Sequence, residues 1–150
     1  MANFQRVGEK SNASVGSAFE TKAFYYFVSK GLKLEPHYKL DVGVSTQKKA
    51  HAFDLGNAED KIIVECKSHK WTAGNNVPSA KLTVWNEAMY YFHIAPSDYR
   101  KVFFILRDYS EKRKETLGEY YIRTYGHLIP DDVEIMEFNE ETNTVFMLKK

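Results

Sequence analysis

Glu65 and Lys67 stand two residues apart in IIVECKSHKW, residues 62–71, on a run of Ile and Val that predicts a strand. Side chains alternate across a strand, so Ile63, Glu65 and Lys67 share one face and Ile62, Val64 and Cys66 take the other. A carboxylate and an ammonium therefore lie side by side on an element that reads as buried. Either they form an ordinary ion pair at a strand end, or they form a reaction centre. Asp54 lies near the end of the preceding strand-like segment, AHAFDLG at 50–56, and the turn NAED at 57–60 folds that segment back beside Glu65. Two carboxylates with a backbone carbonyl between them make an oxygen-rich set suited to Mg²⁺, whereas zinc would ask for His or Cys. A hard cation held there polarises a phosphate and lowers the pKa of a bound water. Lys67 can orient that water or stabilise the negative charge that develops during phosphoryl chemistry.

Periodicity shows which elements must position these residues. SVGSAFETKAFYYFVSKG predicts a helix with Ser14 as N-cap, apolar residues at Val15, Phe19, Ala23, Tyr26 and Phe27, and Gly31 as its stop. LEPHYKLDVGV, AHAFDLG and KIIVECKS then read as three antiparallel strands in a meander. HKWTAGNNVPS is a polar loop, after which Pro78 opens a second helix running to about Ile94, apolar at Leu82, Trp85, Met89 and Phe92. RKVFFILRDY has the nearly continuous apolar run of a strand covered on both faces. A charged SEKRKE reads as an exposed linker. Beyond it come a third helix, TLGEYYIRTYGHL, a break at Pro130, and two strands, VEIMEF and TVFMLK, joined by NEETN. The expected architecture is an α/β domain of order αβββαβ with an αββ extension over about 110–150, a mixed sheet flanked by helices.

At 150 residues the chain has the size of one domain. Its 43% hydrophobic and 15% aromatic content argues against disorder. No apolar run approaches the length of a membrane span, and the polar start, MANFQRVGEKSNAS, predicts no secretory leader. The single cysteine, Cys66, allows no internal disulfide and no cysteine-based zinc site, which suits a reducing, cytoplasmic location. The net charge of +1 hides a division: residues 1–114 carry 18 lysines and arginines against 12 acids, and residues 115–150 carry 3 against 8. The first part can face a polyanion; the last cannot.

The combination of motif spacing and element order resembles the PD-(D/E)xK nucleases, the restriction-endonuclease-like superfamily. Their signature is an acid at the end of the second core strand and (D/E)-x-K on the third, within an αβββαβ core. Asp54 matches the first acid, and Glu65, Cys66 and Lys67 match the E-x-K. The resemblance implies that Asp54, Glu65 and the backbone carbonyl of Cys66 bind the metal, and that Lys67 is the catalytic lysine. Many members add a Glu on the first helix that also reaches the metal. Glu20 in GSAFET is its counterpart, and the G-x-x-x-E from Gly16 to Glu20 is similar to archaeal Holliday-junction resolvases. Some members carry Q-x-x-x-Y on the second helix, of which Asn86 to Tyr90 is a loose echo. Phe53 stands where the family pattern has Pro. The resemblance spans about residues 14–107. It implies a DNA endonuclease of restriction, homing or junction-resolving type, dependent on Mg²⁺ with Mn²⁺ as a substitute. Because a double-strand cut needs two active sites, it also implies a homodimer or homotetramer. The alternative is a catalytically silent module of the same fold that binds DNA or a protein partner.

Candidate DNA contacts are Lys48 and Lys49 at a hairpin tip, His69, Lys70, Asn75 and Asn76 on the loop after the E-x-K, and Lys81 early in the second helix. Solvated turn lysines and an ordinary polar loop would look the same. His51, His69 and His93 have no metal-ligand spacing. Asp60 competes with Asp54 as the first acid, but lies in the turn, where Asp is expected. Cys66, facing away from Glu65, reads as a small buried hydrophobe.

Overall fold

The computed structural model describes residues 12–150, with side chains from Gly16 onward. The first helix, α1, spans Asn12–Ser29. Ser14 thus lies within the helix instead of capping it, and its side chain and that of Val15 lie outside the described residues. Phe19, Ala23 and Phe27, each four residues from the next, form the buried stripe. Gly31 ends the helix as expected. Its φ of +82 is open to glycine, and the amides of Gly31 and Leu32 return to the carbonyls of Val28 and Phe27.

Three strands follow, β1 (Glu35–Val42), β2 (Lys49–Asn57) and β3 (Ile62–Lys67), paired antiparallel in sequence order. Asn57 and Asp60 close the turn between the last two. Asn57 Nδ2 donates to Asp60 Oδ2 at 3.0 Å, and the Asp60 amide donates to Asn57 Oδ1 at 2.8 Å. Asp60 therefore belongs to the turn, as its sequence context suggested. A short 3-10 turn at Ala73–Asn75 precedes α2 (Ser79–His93), which leads to β4 (Arg100–Leu106), parallel to β3.

The charged stretch expected as a linker is the tip of a small ribbon, formed by β5 (Tyr109–Ser110) and β6 (Glu115–Thr116). Buried Ser110 holds it: its hydroxyl donates to Asn75 Oδ1 at 2.8 Å and accepts from the Arg113 amide at 3.0 Å. Helix α3 (Leu117–Tyr125) starts from a capping box, in which Thr116 Oγ1 accepts the Glu119 amide and Glu119 accepts the Thr116 amide. A 3-10 turn, Gly126–Leu128, takes up the rest of the segment expected to be helical. Strand β7 (Val133–Asn139) runs parallel to β4, and β8 (Thr144–Lys149) pairs antiparallel with β7.

The result is a six-stranded mixed sheet, ordered β1-β2-β3-β4-β7-β8, between helices. Alternation along the strands divides the core. Ile62, Val64, Cys66, Val102 and Phe104 meet α1, whereas Ile63, Phe103, Ile105 and Ile135 meet Leu82, Trp85, Met89 and Phe92 of α2 and Tyr121 of α3. Strand β4 is buried on both faces, which accounts for its unbroken apolar run. Among the described residues, no helix is long and apolar enough to cross a membrane.

Candidate active site

Strand β3 separates from β2 at the level of Asp54. The β2–β3 pairing ends at Leu55 and Val64, and beyond that pair the Cys66 amide donates to Asp54 Oδ2 at 2.7 Å instead of to a backbone carbonyl. A side chain thus replaces a rung of the ladder and pins one carboxylate oxygen between the strands. The geometry of β1 and β2 changes at the same level. Tyr38 and Phe53, paired, join the α2-side core, whereas Leu55 joins the α1-side core and, with its partner Pro36, lines a cavity of about 330 Å³ beside Glu20. Residues two apart on a flat strand would share a face; here both strands turn over. His37, facing Asp54 between those pairs, has a φ of 53, a left-handed conformation that costs a residue with a Cβ roughly 1–2 kcal/mol.

Glu65 and Lys67 reach this opening from the end of β3, and Glu20 reaches it from α1. Glu65 is 7% exposed, on the α2 side. Its nearest partner is a residue the sequence reading set aside. His51 Nε2 lies 3.4 Å from Glu65 Oε1, and the imidazole is stacked on Tyr91 of α2, 3.7 Å between ring centres and 12° between planes. Period-two alternation already puts His51 on the face of Phe53; its contact with Glu65 depends on how β2 and β3 pair. His37, by contrast, left no signal in the sequence, because its backbone conformation answers to the turning of the sheet.

The charges act on one another. Burial pushes the Glu65 carboxyl up to about 7, with Asp54 adding to the rise and His51 and Lys67 opposing it. Glu20 is also raised, by burial and then by Asp54, and is eased by His37 and Lys67. The Cys66 thiol, buried between them, is pushed well above its usual value by burial, then by Asp54, Glu20 and Glu65. It is an inert apolar filler. Glu20, Asp54, Glu65 and Lys67 thus all act on Cys66, and Asp54 and Lys67 act on both Glu20 and Glu65. Among the described residues, no three His, Cys, Asp or Glu side chains are already close enough to cage an ion. The donor set on offer is two carboxylates with the main-chain carbonyl between Glu65 and Lys67.

The other sequence candidates lie at varying distance from this centre. Lys48 Nζ donates to the Gly43 carbonyl at 2.9 Å, and Lys49 and Lys70 are exposed. Asn75 and Asn76 hold the loop together: Asn75 accepts from Ser110 and, through its carbonyl, from Arg113 Nε at 2.6 Å, while Asn76 Nδ2 donates to the Ala73 carbonyl. Asn86 accepts the Tyr121 hydroxyl at 2.8 Å and lines a separate cavity with Tyr90 and His93. His69 accepts a hydrogen bond from Trp85, and Lys81 lies on the first turn of α2. No family model matches the chain, and no match to it was found among curated proteins or solved structures.

Proposed function

We propose that the chain is a metal-dependent endonuclease of the restriction-endonuclease-like kind, hydrolysing phosphodiester bonds in DNA. The observation that carries this reading is Glu65, a buried carboxyl whose one side-chain contact among the described residues is His51 at 3.4 Å, and which burial and Asp54 push up to about 7. A buried carboxylate with no strong donor and a second carboxylate acting on it is destabilising unless a cation joins them. This environment fits Mg²⁺ or Mn²⁺, held by Asp54, Glu65 and the Cys66 carbonyl, with Glu20 at hand from α1 to hold coordinated water. When bound, the cation supplies Lewis-acid polarisation of the phosphate and a more acidic water.

The residues of the chain supply the rest. Asp54, pinned by the Cys66 amide, keeps one oxygen engaged, and the other has no hydrogen-bond partner among the described residues. His51, braced on Tyr91, holds the Glu65 carboxylate from behind. Lys67, half-buried at the end of β3, orients the attacking water and stabilises charge on the phosphate as it develops. A double-strand cut would call for a second copy of the chain.

The test is cleavage of supercoiled plasmid, linear duplex and four-way junction with Mg²⁺ or Mn²⁺, beside the Lys67→Ala protein. Metal-dependent cutting that disappears in the variant is expected, and the preferred substrate defines the subclass. No cutting, together with no metal-induced rise in melting temperature, would instead favour the silent DNA- or protein-binding module.

A further inference from the structure

His69 is a residue for which the proposed reaction has no use, and its surroundings are specific. Trp85 is fully buried in the α2-side core, edge-on to Phe103 and Tyr121 at 5.3 and 5.1 Å. Its indole N–H donates to His69 Nδ1 at 2.8 Å. An indole nitrogen only donates, so His69 Nδ1 must carry its lone pair, and the proton of the neutral imidazole sits on Nε2. Protonating Nδ1 would set two donors against each other and strand a buried N–H. Burial, with Lys67 and Lys81 nearby, keeps the ring neutral down to about pH 4.

The ring is half-buried, and Nε2–H has no hydrogen-bond partner among the described residues. Lys67 lies two residues earlier in the chain. Lys81 lies four residues before Trp85 on α2, so the two side chains are neighbours on one helical face. The charged groups acting on His69 are these two lysines, and no carboxylate is among them. Lys67 also acts on Glu20 and Glu65, but the ring itself has two ammoniums and no carboxylate acting on it, the surroundings of an anion site. A neutral N–H of fixed direction with two ammoniums nearby suits a phosphate oxygen, which takes one directional bond and two charge contacts.

We infer that Lys67, His69 and Lys81 form a cradle for a phosphate group of the substrate, with the Nε2–H of His69, oriented by the Trp85 indole, as its directional donor. The identity of the phosphate as part of a polynucleotide rests on the nuclease reading; the cradle itself does not.

The experiment is imidazole ¹⁵N NMR on the full chain without divalent metal, titrated separately with inorganic phosphate and with a short DNA duplex. Before ligand, a neutral Nε2–H tautomer is expected from pH 5.5 to 8. On titration the Nε2 resonance should shift, at far lower concentration with duplex than with free phosphate if the source is a polynucleotide. His69→Ala should weaken duplex binding about tenfold, the loss expected for one hydrogen bond to a charged group. Trp85→Phe, which keeps an aromatic ring in the core, removes the donor to Nδ1 and should let the proton of the neutral ring distribute between Nδ1 and Nε2. An Nδ1–H tautomer or an imidazolium at pH 7 overturns the inference. So does a His69 resonance unmoved by either titrant, and unaltered duplex affinity in His69→Ala overturns the polynucleotide as the source of the phosphate. A shift on phosphate addition in a protein that cuts nothing would keep the cradle and remove the nuclease. Cleavage with unchanged KM in His69→Ala would do the reverse.

Discussion

Glu65 is where burial and charge conflict most directly. With its carboxyl at about 7 in the folded chain against an ordinary 4.5, the native state holds the proton more tightly than the unfolded one. The stabilisation from protonated Glu65 is therefore complete below about 4.5 and lost as pH rises through about 7, on the order of 3 kcal/mol across that window. Glu65→Gln should remove most of this slope, so metal-free protein carrying it should melt higher than the parent at pH 8. The same substitution should abolish any rise in melting temperature on adding Mg²⁺, because a carboxylate donor is gone. Thermal melts from pH 4.5 to 8, with and without the cation, check both. If the variant melts lower at pH 8, the Glu65 carboxylate is well compensated and the cation has no unmet charge to answer. Lys67→Ala belongs to the same scale: half-buried and without an ion-pair partner among the described residues, Lys67 should be removable with little loss of stability and complete loss of cleavage.

At the scale of elements, the site depends on β1 and β2 turning over at His37 and Asp54, and on the β2–β3 turn that sets their spacing. Gly56 lies in that hairpin. A Cβ there would lie 2.7 Å from both the Ile62 carbonyl and the Tyr38 ring, so neither backbone nor core can give way cheaply. Gly56→Ala should cost about 1–3 kcal/mol in urea unfolding, and it should disturb the Asp54–Cys66 bond one step beyond. The α3 end is held differently. Thr116→Ala removes the reciprocal cap and should cost about 1 kcal/mol, with no effect on metal response, because α3 packs over β4 and β7, away from the opening between β2 and β3. A loss of metal response in Thr116→Ala would mean that the site is coupled to the far half of the sheet.

The sheet order gives the whole molecule an electrical direction. The strands and helices from residues 12–114, with 16 lysines and arginines against 11 acids, lie toward the β1 side, and the acidic residues 115–150 supply α3, β7 and β8 toward the other edge. The proposed site lies in the basic half. DNA should therefore bind across β1–β3 and the α2 N-terminal end, with a salt dependence set by few phosphate contacts. Lys81→Ala and Lys70→Ala should each lower the log–log salt slope by about one, whereas Glu141→Gln, on the exposed β7–β8 turn, should leave it unchanged. Filter-binding isotherms over a range of salt concentrations decide this. A slope altered only by the Glu141 substitution would place the nucleic acid on the acidic edge and refute the assignment of faces.

Much of the fold is written locally. The stripe Phe19, Ala23 and Phe27, the stop at Gly31, the buried set Leu82, Trp85, Met89 and Phe92, and the two-faced run of β4 all follow from periodicity and turn chemistry, which act over a few residues. So does the placement of Glu65 and Cys66 on opposite faces, because alternation needs no knowledge of the partner strand. The tertiary structure alone decided the rest. Alternation assumes a flat strand, so it could not foresee that Phe53 and Leu55 enter different cores, or that His37 takes a left-handed conformation opposite Asp54. Contacts such as His51 with Glu65, Trp85 with His69 and Asn75 with Ser110 join residues 14, 16 and 35 positions apart. The sequence named the charged residues. Which of them lie close enough to share a field is a property of strand pairing and sheet twist, which depend on the packing of the whole chain.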